Sequence, residues 1–477
     1  MKNTTRRAYV LFALIAVFFI GFAILAARFG IHGKEWATKE NLNRNLETKI
    51  VPSLIDDCTI TDRNGKVLYV GNGKNDHKWS DDVTVRKATL HVVGDAGNIG
   101  SSILKTSKEA TLRPTYSYDI LNGIQVTKVQ EEDDLNRDIH LTIDAEVCKA
   151  AYNAMTWNVD SGQGSVGVYN YKTGEVYCMV SLPSYDPMNP SKPVNGTYLN
   201  HFLDGTYTPG STFKTVTSLC ALQNIPDAMT RTFDCIGNVH TVAGGKIKCA
   251  ADESGHGAQL TLQTGLNRSC NYVFSMFAVE LGKDRLTETV QQLGLLDNVS
   301  VNGIRTAKGK FDLSTATNNE IGWAGIGQYT TEINPCQMMM LMGAIANHGT
   351  AITPTLIQDS ATMGQQYDGI HLSAAMADQL KTLLRSNVTD YYQSHNSAAR
   401  SEGFMTMEIC GKTGTAQHGP EKDRKSHAWF VGFSQREDFP VAFVVCLEDL
   451  KTGTGGGLGI NIANTVLQKI WDAGIVK

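Results

Sequence analysis

The chain has 477 residues, of which 42% are hydrophobic and 19% charged, and its 43 basic side chains nearly balance 47 acidic ones. Such a chain can bury more than one core, so two or three domains are expected and a disordered polymer is excluded. The absence of a basic excess or a long basic run excludes nucleic acid as the partner.

The first element is an uncharged run from Ala8 to Ala27. As a helix rising about 1.5 Å per residue it reaches about 30 Å, the depth of a bilayer core. Lys2, Arg6 and Arg7 precede it, so the positive-inside bias keeps residues 1–7 in the cytoplasm and places everything after Arg28 outside. A cleaved signal peptide also opens with basic and then apolar residues. Its apolar stretch spans only about 7–15 residues, however, and no clear small-x-small cleavage pattern is present here. The expectation is a single-pass transmembrane anchor at 8–27 with an extracytoplasmic remainder.

Residues 28–138 are polar and mixed, and read as a small β-rich N-terminal pedestal. In TITDRNGKVLYV, alternating apolar residues flank Asn64-Gly65, the mark of a hairpin. The pattern shifts at Ile139. There HLTIDAEVCKAAYNAM begins as a strand and continues as a helix capped by Asp144, with Val147, Ala151 and Met155 on one face. This seam opens a second domain, 139–477.

GSVGVYNYKTGEVYCMVSL predicts two alternating strands about a turn at Lys172-Thr173-Gly174. Helical patterns follow as far as Met407. MEICGKTGTAQ, HAWFVGFS and FPVAFVVCLED then predict three more strands with short connections, and GINIANTVLQKIWDAG a closing helix packed on Ala463, Val466, Leu467 and Ile470. The fold class is α/β (α+β), with a mainly antiparallel sheet flanked by helices.

Most of the ten cysteines lie in apolar runs, such as Cys178 and Cys446, and read as small buried hydrophobes. Cys235 and Cys249 flank a polar stretch, CIGNVHTVAGGKIKC, that reads as a hairpin and leaves a disulfide between them open. Adding His240 and His256 supplies four zinc-capable side chains, but their spacing matches no compact finger, so neither metal nor cofactor is expected.

Three motifs carry the chemistry. Pro209-Gly210 break a loop, and Phe213, Val216, Thr217 and Cys220 then repeat at helical spacing, which puts Ser211 at a helix N-terminus with Lys214 on the same face. A serine hydroxyl needs a base, and a lysine serves only when neutral, a state favoured by burial and by a nearby cation such as Lys412. Ser269-Cys270-Asn271 offers a hydroxyl to relay a proton and an amide to bind a peptide backbone. Lys-Thr-Gly occurs three times. The copy at Lys172 is a hairpin turn and that at Lys451-Thr452-Gly453 sits in a glycine-rich loop. Only Lys412-Thr413-Gly414-Thr415 continues an apolar strand, where Gly414 leaves room for a substrate backbone. The cation and two hydroxyls suit a carboxylate, and the backbone N–H groups of Ser211 and Thr415 suit an oxyanion hole.

The S-x-x-K, S-x-N and K-T-G set resembles that of the monofunctional (class B) penicillin-binding proteins. TDRNGKVL (from Thr61), HLTIDAEVCKAA (from His140), GEVYCMVSLPSYDPMNP (from Gly174), YTPGSTFK (from Tyr207), GHGAQLTLQTGLNRSCNYVF (from Gly255), IGQYTTEINPCQMMMLMGAIANHGT (from Ile326) and HAWFVGF (from His427) resemble family segments in the family's order. The small pedestal is similar to that of the short, penicillin-binding-protein-A-like type. The resemblance implies a serine D,D-transpeptidase in a bacterial cell membrane, acting on peptidoglycan stem peptides ending in D-Ala-D-Ala and acylated by β-lactams. It implies Ser211 as nucleophile, Lys214 as base, Ser269 as proton relay and Asn271 as substrate contact. Lys412, Thr413 and Thr415 would hold the carboxylate. About 110 residues before Ile139 are too few for a glycosyltransferase domain, so the resemblance also implies a multipass membrane glycan polymerase as partner. A β-lactamase or D,D-carboxypeptidase would use the same motifs but transfer to water. A β-lactam sensor or catalytically silent scaffold is the alternative of another class, and about seven residues before the span leave a sensor no output domain.

Overall fold

The structure, a computed structural model, describes residues 12, 14–24, 26–28, 58–72, 76–95, 97–110, 116–119, 125–128, 138–159, 162–190, 192–418, 425–451 and 455–476. The chain divides into two compact units, Met1–Leu54 with Ser107–Leu135, and Ile55–Thr106 with Asn136–Lys477. In the first, residues 14–24 and 26–28 are helical, and large apolar side chains there, Phe18, Phe19 and Phe22 among them, are exposed. The expected anchor lies partly outside the described residues, and among these no helix is long and apolar enough to cross a membrane. The same unit contains an antiparallel hairpin of Tyr116–Asp119 with Gln125–Lys128.

The second unit begins with strands β1 (Thr59–Thr61) and β2 (Val67–Gly71), the expected hairpin, with Gly65 at φ +78°. Strand β3 (His77–Trp79) extends this sheet, helix α1 (Val83–Val93) follows, and β4 (Ile139–His140) pairs parallel to β1. The division does not coincide with a boundary at 138/139, and Asp62 shows why. Its Oδ1 accepts the backbone N–H groups of Asn64 and Lys66, both at 2.9 Å, and shapes the hairpin turn. Its Oδ2 accepts the N–H of Ala145 at 3.0 Å, the first residue of helix α2 (Ala145–Asn158). The first hairpin and the helix after the seam thus share one carboxylate. Asp144 caps α2 as expected, and Val147, Ala151 and Met155 are fully buried.

Strands β5 (Gly164–Asn170) and β6 (Val176–Leu182) open the main sheet. A 3₁₀ turn, Gly210–Phe213, leads into helix α3 (Lys214–Asn224). Four short strands follow: β7 (Phe233–Ile236), β8 (Val239–Val242), β9 (Gly245–Lys248) and β10 (Gly255–Leu260). Strands β8 and β9 form the expected hairpin, and β10 pairs with β7. Helices α4 (Leu262–Asn267), α5 (Asn271–Gln292), α6 (Asn318–Ala324), α7 (Pro335–Ala346) and α8 (Ala374–Ser386) come next. The chain ends with β11 (Ile409–His418), β12 (Lys425–Ser434), β13 (Val441–Lys451) and helix α9 (Gly457–Asp472).

The main sheet has the order β11-β12-β13-β5-β6, with every neighbouring pair antiparallel. Strands β5 and β6 are buried at every position rather than on alternate faces. Helices cover both sides of the sheet: α2 and α9 lie on one face and α7 on the other. All of α7 is buried, which is what an uninterrupted apolar stretch such as MMMLM requires. Helix α9 buries Ala463, Val466, Leu467 and Ile470 as expected. Strand β11 is left at the sheet edge beside the 3₁₀ turn, and that adjacency builds the site.

Candidate active site

The nucleophile turn and strand β11 meet through two glycines. Gly210 has φ +54°, and a Cβ there would lie 2.5 Å from the carbonyl oxygen of Thr415. A Cβ on Gly414 would lie 2.5 Å from the carbonyl oxygen of Pro209. The room at Gly414 expected for a substrate is therefore filled by the turn that carries Ser211. In a 3₁₀ turn, side chains three residues apart eclipse, and Lys214 Nζ accordingly lies 3.0 Å from Ser211 Oγ. Ser211 is half-buried, whereas Lys214 has no exposed surface.

The second motif closes over this amine. Lys214 Nζ lies 2.6 Å from the Ser269 carbonyl oxygen, 2.7 Å from Asn271 Oδ1 and 3.2 Å from Ser269 Oγ. The Asn271 amide is oriented by its other end, since Nδ2 donates to the Lys248 carbonyl of β9 at 2.7 Å. Ser269 has φ +54°, a left-handed conformation uncommon outside glycine, in the turn between α4 and α5. Cys270 is the N-cap residue of α5, and its side chain points away from the amines toward Cys249.

The third motif supplies a second buried amine. Lys412 Nζ lies 3.1 Å from Ser269 Oγ and 3.4 Å from Tyr392 Oη, so one serine hydroxyl bridges both lysines. Tyr392 Oη also accepts the backbone N–H of Thr413 at 3.0 Å and lies 3.0 Å from Thr413 Oγ1. That N–H therefore points off the open edge of β11. Strand geometry repeats every two residues, so the N–H of Thr415 points off the same edge, without a ladder partner. Thr415 is exposed and Thr413 half-buried.

Among the described residues no carboxylate pairs with either amine. Burial, reinforced by the charge of Lys412, pushes Lys214 down to about 7. Burial alone pushes Lys412 down to about 7. Burial raises Tyr392 above its ordinary value, so it remains a neutral hydroxyl.

The fold thus gathers Ser211, Lys214, Ser269, Asn271, Lys412, Thr413, Gly414 and Thr415 at one place. Lys172-Thr173-Gly174 is a hairpin turn far along the sheet, with Gly174 at φ +83°, and most of the copy at Lys451 lies outside the described residues. Tyr392 was not foreseen: it lies on a π-helical turn, Asn387–Tyr392, and nothing in DYYQSH distinguishes it from Tyr391. The open disulfide question is answered, because Cys235 and Cys249 are free thiols with sulfurs 3.8 Å apart. The sequence expectation of no metal weighed Cys235, Cys249, His240 and His256 as the possible ligands. The fold instead groups Cys235, Cys249 and His256 with Cys270.

Residues 164–470, well over half of the chain, match the family described as penicillin binding protein transpeptidase domain. The chain is 27% identical over 375 residues to peptidoglycan D,D-transpeptidase PbpA of Mycolicibacterium smegmatis, covering 69% of this chain and 72% of that protein. Its fold is similar to that of penicillin-binding protein A from M. tuberculosis, with TM-score 0.68, 21% identity and coverage of 86% of this chain and 98% of that one. The solved complex of penicillin-binding protein 2 and MreC from Helicobacter pylori aligns with TM-score 0.61 and 21% identity over 74% of this chain and 66% of that one. With the three motifs assembled at the edge of its main sheet, this chain belongs to the penicillin-binding protein transpeptidase family.

Proposed function

We propose that this chain is a class B, PbpA-like peptidoglycan D,D-transpeptidase working through a serine acyl-enzyme. The observation that carries the reading is the set of partners around Lys214. A neutral amine has two N–H groups and one lone pair. Its two shortest contacts, to the Ser269 carbonyl and Asn271 Oδ1, go to atoms that only accept. They consume both N–H groups, and the lone pair is left for the hydroxyl of Ser211.

Ser211 gives its proton to Lys214 as Oγ attacks the penultimate D-Ala carbonyl of a stem ending in D-Ala-D-Ala. The N–H groups of Ser211 and Thr415 hold the oxyanion, each such donor being worth about 3–4 kcal/mol. The proton passes from Lys214 through the Ser269 hydroxyl to the departing amine of the last D-Ala, and an ester remains on Ser211. An acceptor amine then attacks the ester, the proton returns to Ser211, and the new amide is the cross-link. Lys412, Thr413 and Thr415 hold the donor's terminal carboxylate, and the remaining N–H of Asn271 Nδ2 contacts the donor backbone. In a β-lactam the leaving amine stays tethered, so the ester persists.

The catalytic part, 139–477, is held at the outer face of a bacterial cell membrane by the anchor at 8–27, with residues 1–7 inside and 28–138 as pedestal. The charge pattern and the exposed apolar helix at residues 14–24 support this placement. The glycan is supplied by a membrane polymerase, as the family resemblance implies, and the fold shared with a penicillin-binding protein solved in complex with MreC supports a protein partner in general.

The test is a donor peptide ending in D-Ala-D-Ala with excess acceptor amine, followed by mass spectrometry. Transfer product in excess of hydrolysed donor is expected. Hydrolysis alone would replace the reading with a carboxypeptidase, and no D-Ala release would remove it.

A further inference from the structure

We propose that Cys235, Cys249, His256 and Cys270 bind a single zinc ion, which clamps the Ser269–Asn271 turn in its working conformation. Their ligand atoms all lie within 4.8 Å of one another, and all four residues are buried. They come from four different elements. Cys235 is in β7, Cys249 follows β9, Cys270 caps α5, and His256 is the unpaired residue of a register break in β10, beside Gly257, which pairs with Cys235. Such a break re-aims a side chain, and here it turns an imidazole toward the thiols.

The spacing fits one tetrahedral ion. Zn–S bonds of about 2.3 Å and Zn–N bonds of about 2.0–2.1 Å at tetrahedral angles put sulfurs about 3.8 Å apart and sulfur about 3.6 Å from nitrogen. The observed separations are 3.8 Å for Cys235–Cys249, 3.9 Å for Cys249–Cys270 and 3.6 Å from Cys235 Sγ to His256 Nδ1. A disulfide needs sulfurs about 2.0 Å apart, and an iron–sulfur cluster needs a wider cage than these atoms enclose. Three thiolates and an imidazole in a tetrahedron are the donor set of structural zinc.

The surroundings suit charged ligands. The backbone N–H of Tyr272 points at Cys249 Sγ, 3.4 Å away. His240 Nε2 lies 3.2 Å from Cys235 Sγ and 2.9 Å from the Gly237 carbonyl, placing it behind the ligands rather than among them. Arg268 donates to the His256 carbonyl and fixes that strand. Binding is balanced as Zn²⁺ plus three thiols giving the tetrahedral site and three protons, with His256 neutral and a net charge of −1.

The consequence for the reaction rests on the proposed function. Cys270 is flanked by the strained Ser269 and by Asn271, which together give Lys214 three of its four partners. A strained turn persists only when its surroundings over-determine it. The ion ties Cys270 to strands β7, β9 and β10, and Asn271 is tied to the same region through Lys248. Cys270 is therefore a positioning residue.

The first test is the metal content of the full chain purified in detergent without chelator. About one zinc per chain is expected. It should fall at least tenfold in Cys249→Ser and His256→Ala and be kept in Cys148→Ala, a buried cysteine outside the group. Should the ligand variants fail to fold, cobalt(II) titration of the metal-stripped, reduced wild type replaces them. The thiolate-to-cobalt absorption of a tetrahedral site should saturate at one equivalent and vanish on adding zinc. A metal-free chain that gives no such absorption, or a Cys235–Cys249 disulfide in the unreduced protein, would overturn the site. For the clamp, stripping zinc should slow acylation by penicillin at least tenfold and zinc alone should restore it. Unchanged acylation without zinc would overturn the clamp, whereas a zinc-loaded wild type that is never acylated would instead overturn the proposed function.

Discussion

Two buried polar clusters sit back to back across Cys270. On one side Lys214 and Lys412 share the Ser269 hydroxyl, with Ser211 half-buried and Thr415 exposed, so an outside molecule can reach the group. On the other side Cys235, Cys249, His256 and Cys270 are all buried and face one another. The first cluster is open, and among the described residues its amines pair with no carboxylate, so burial leaves them depressed and ready to exchange protons. The second is closed around a space the size of one ion. One turn serves both, and the difference separates a group that acts on a substrate from a group that holds its shape.

The comparison can be broken most severely at Ser211. Ser211→Ala should abolish covalent labelling by fluorescent penicillin while leaving zinc content and melting temperature unchanged. A variant that still labels, or that loses zinc, would show that the clusters are not divided as described. Lys214→Ala removes the base and should slow acylation by about 10²–10⁴-fold, again with zinc retained, as stopped-flow labelling and metal analysis would show.

Gly414→Ala probes the contact between β11 and the nucleophile turn. Its Cβ would meet the Pro209 carbonyl at 2.5 Å, and overpacking of that kind typically costs about 1–3 kcal/mol. Both acylation and thermal stability should drop, in contrast to Ser211→Ala.

The pH profile sharpens the electrostatic side. Lys214 must be neutral to accept the Ser211 proton, so acylation should rise as pH climbs through about 7, where burial and Lys412 place its titration. Lys412 must be charged to hold a carboxylate, so the rate should fall again as that amine, also at about 7, loses its proton. The profile is therefore a narrow bell. Lys412→Ala removes a neighbouring cation, relieves part of the depression of Lys214, and should move the acid limb to higher pH. An acid limb that stays in place would contradict the coupling. The smallest effect is expected of Tyr392→Phe. It removes the acceptor of the Thr413 N–H at the half-buried sheet edge, a loss of about 0.5–1.5 kcal/mol in stability by denaturant titration.

The two clusters also differ in how far the sequence reveals them. Ser211 and Lys214 are three residues apart because a single turn must align them, and Ser269 and Asn271 flank one residue for the same reason. Their spacing is local, and so it is readable. The cysteine group draws on four elements between Cys235 and Cys270, and the register break that turns His256 inward has no mark in GHGAQL. His240 stands nearer along the chain to Cys235, yet it stacks on Tyr272 with ring centroids 4.2 Å apart. Tyr392 was hidden likewise, because only the folded π turn brings it to the edge of β11. At the level of the fold, the hairpins and the closing helix follow from periodicity. Burial of β5 on both faces does not, because it depends on α7 reaching the sheet from a distant part of the chain, and β6 is packed by α1 and α2.

Ser211 is tested most directly by intact-mass spectrometry of the full chain incubated with penicillin G, wild type beside Ser211→Ala, followed by peptide mapping. One adduct with the mass of the whole drug, located on Ser211, lasting for hours and missing from the variant, is the predicted result. An adduct that survives in Ser211→Ala, or a wild type that never gains mass, would contradict the assignment of Ser211 as the nucleophile.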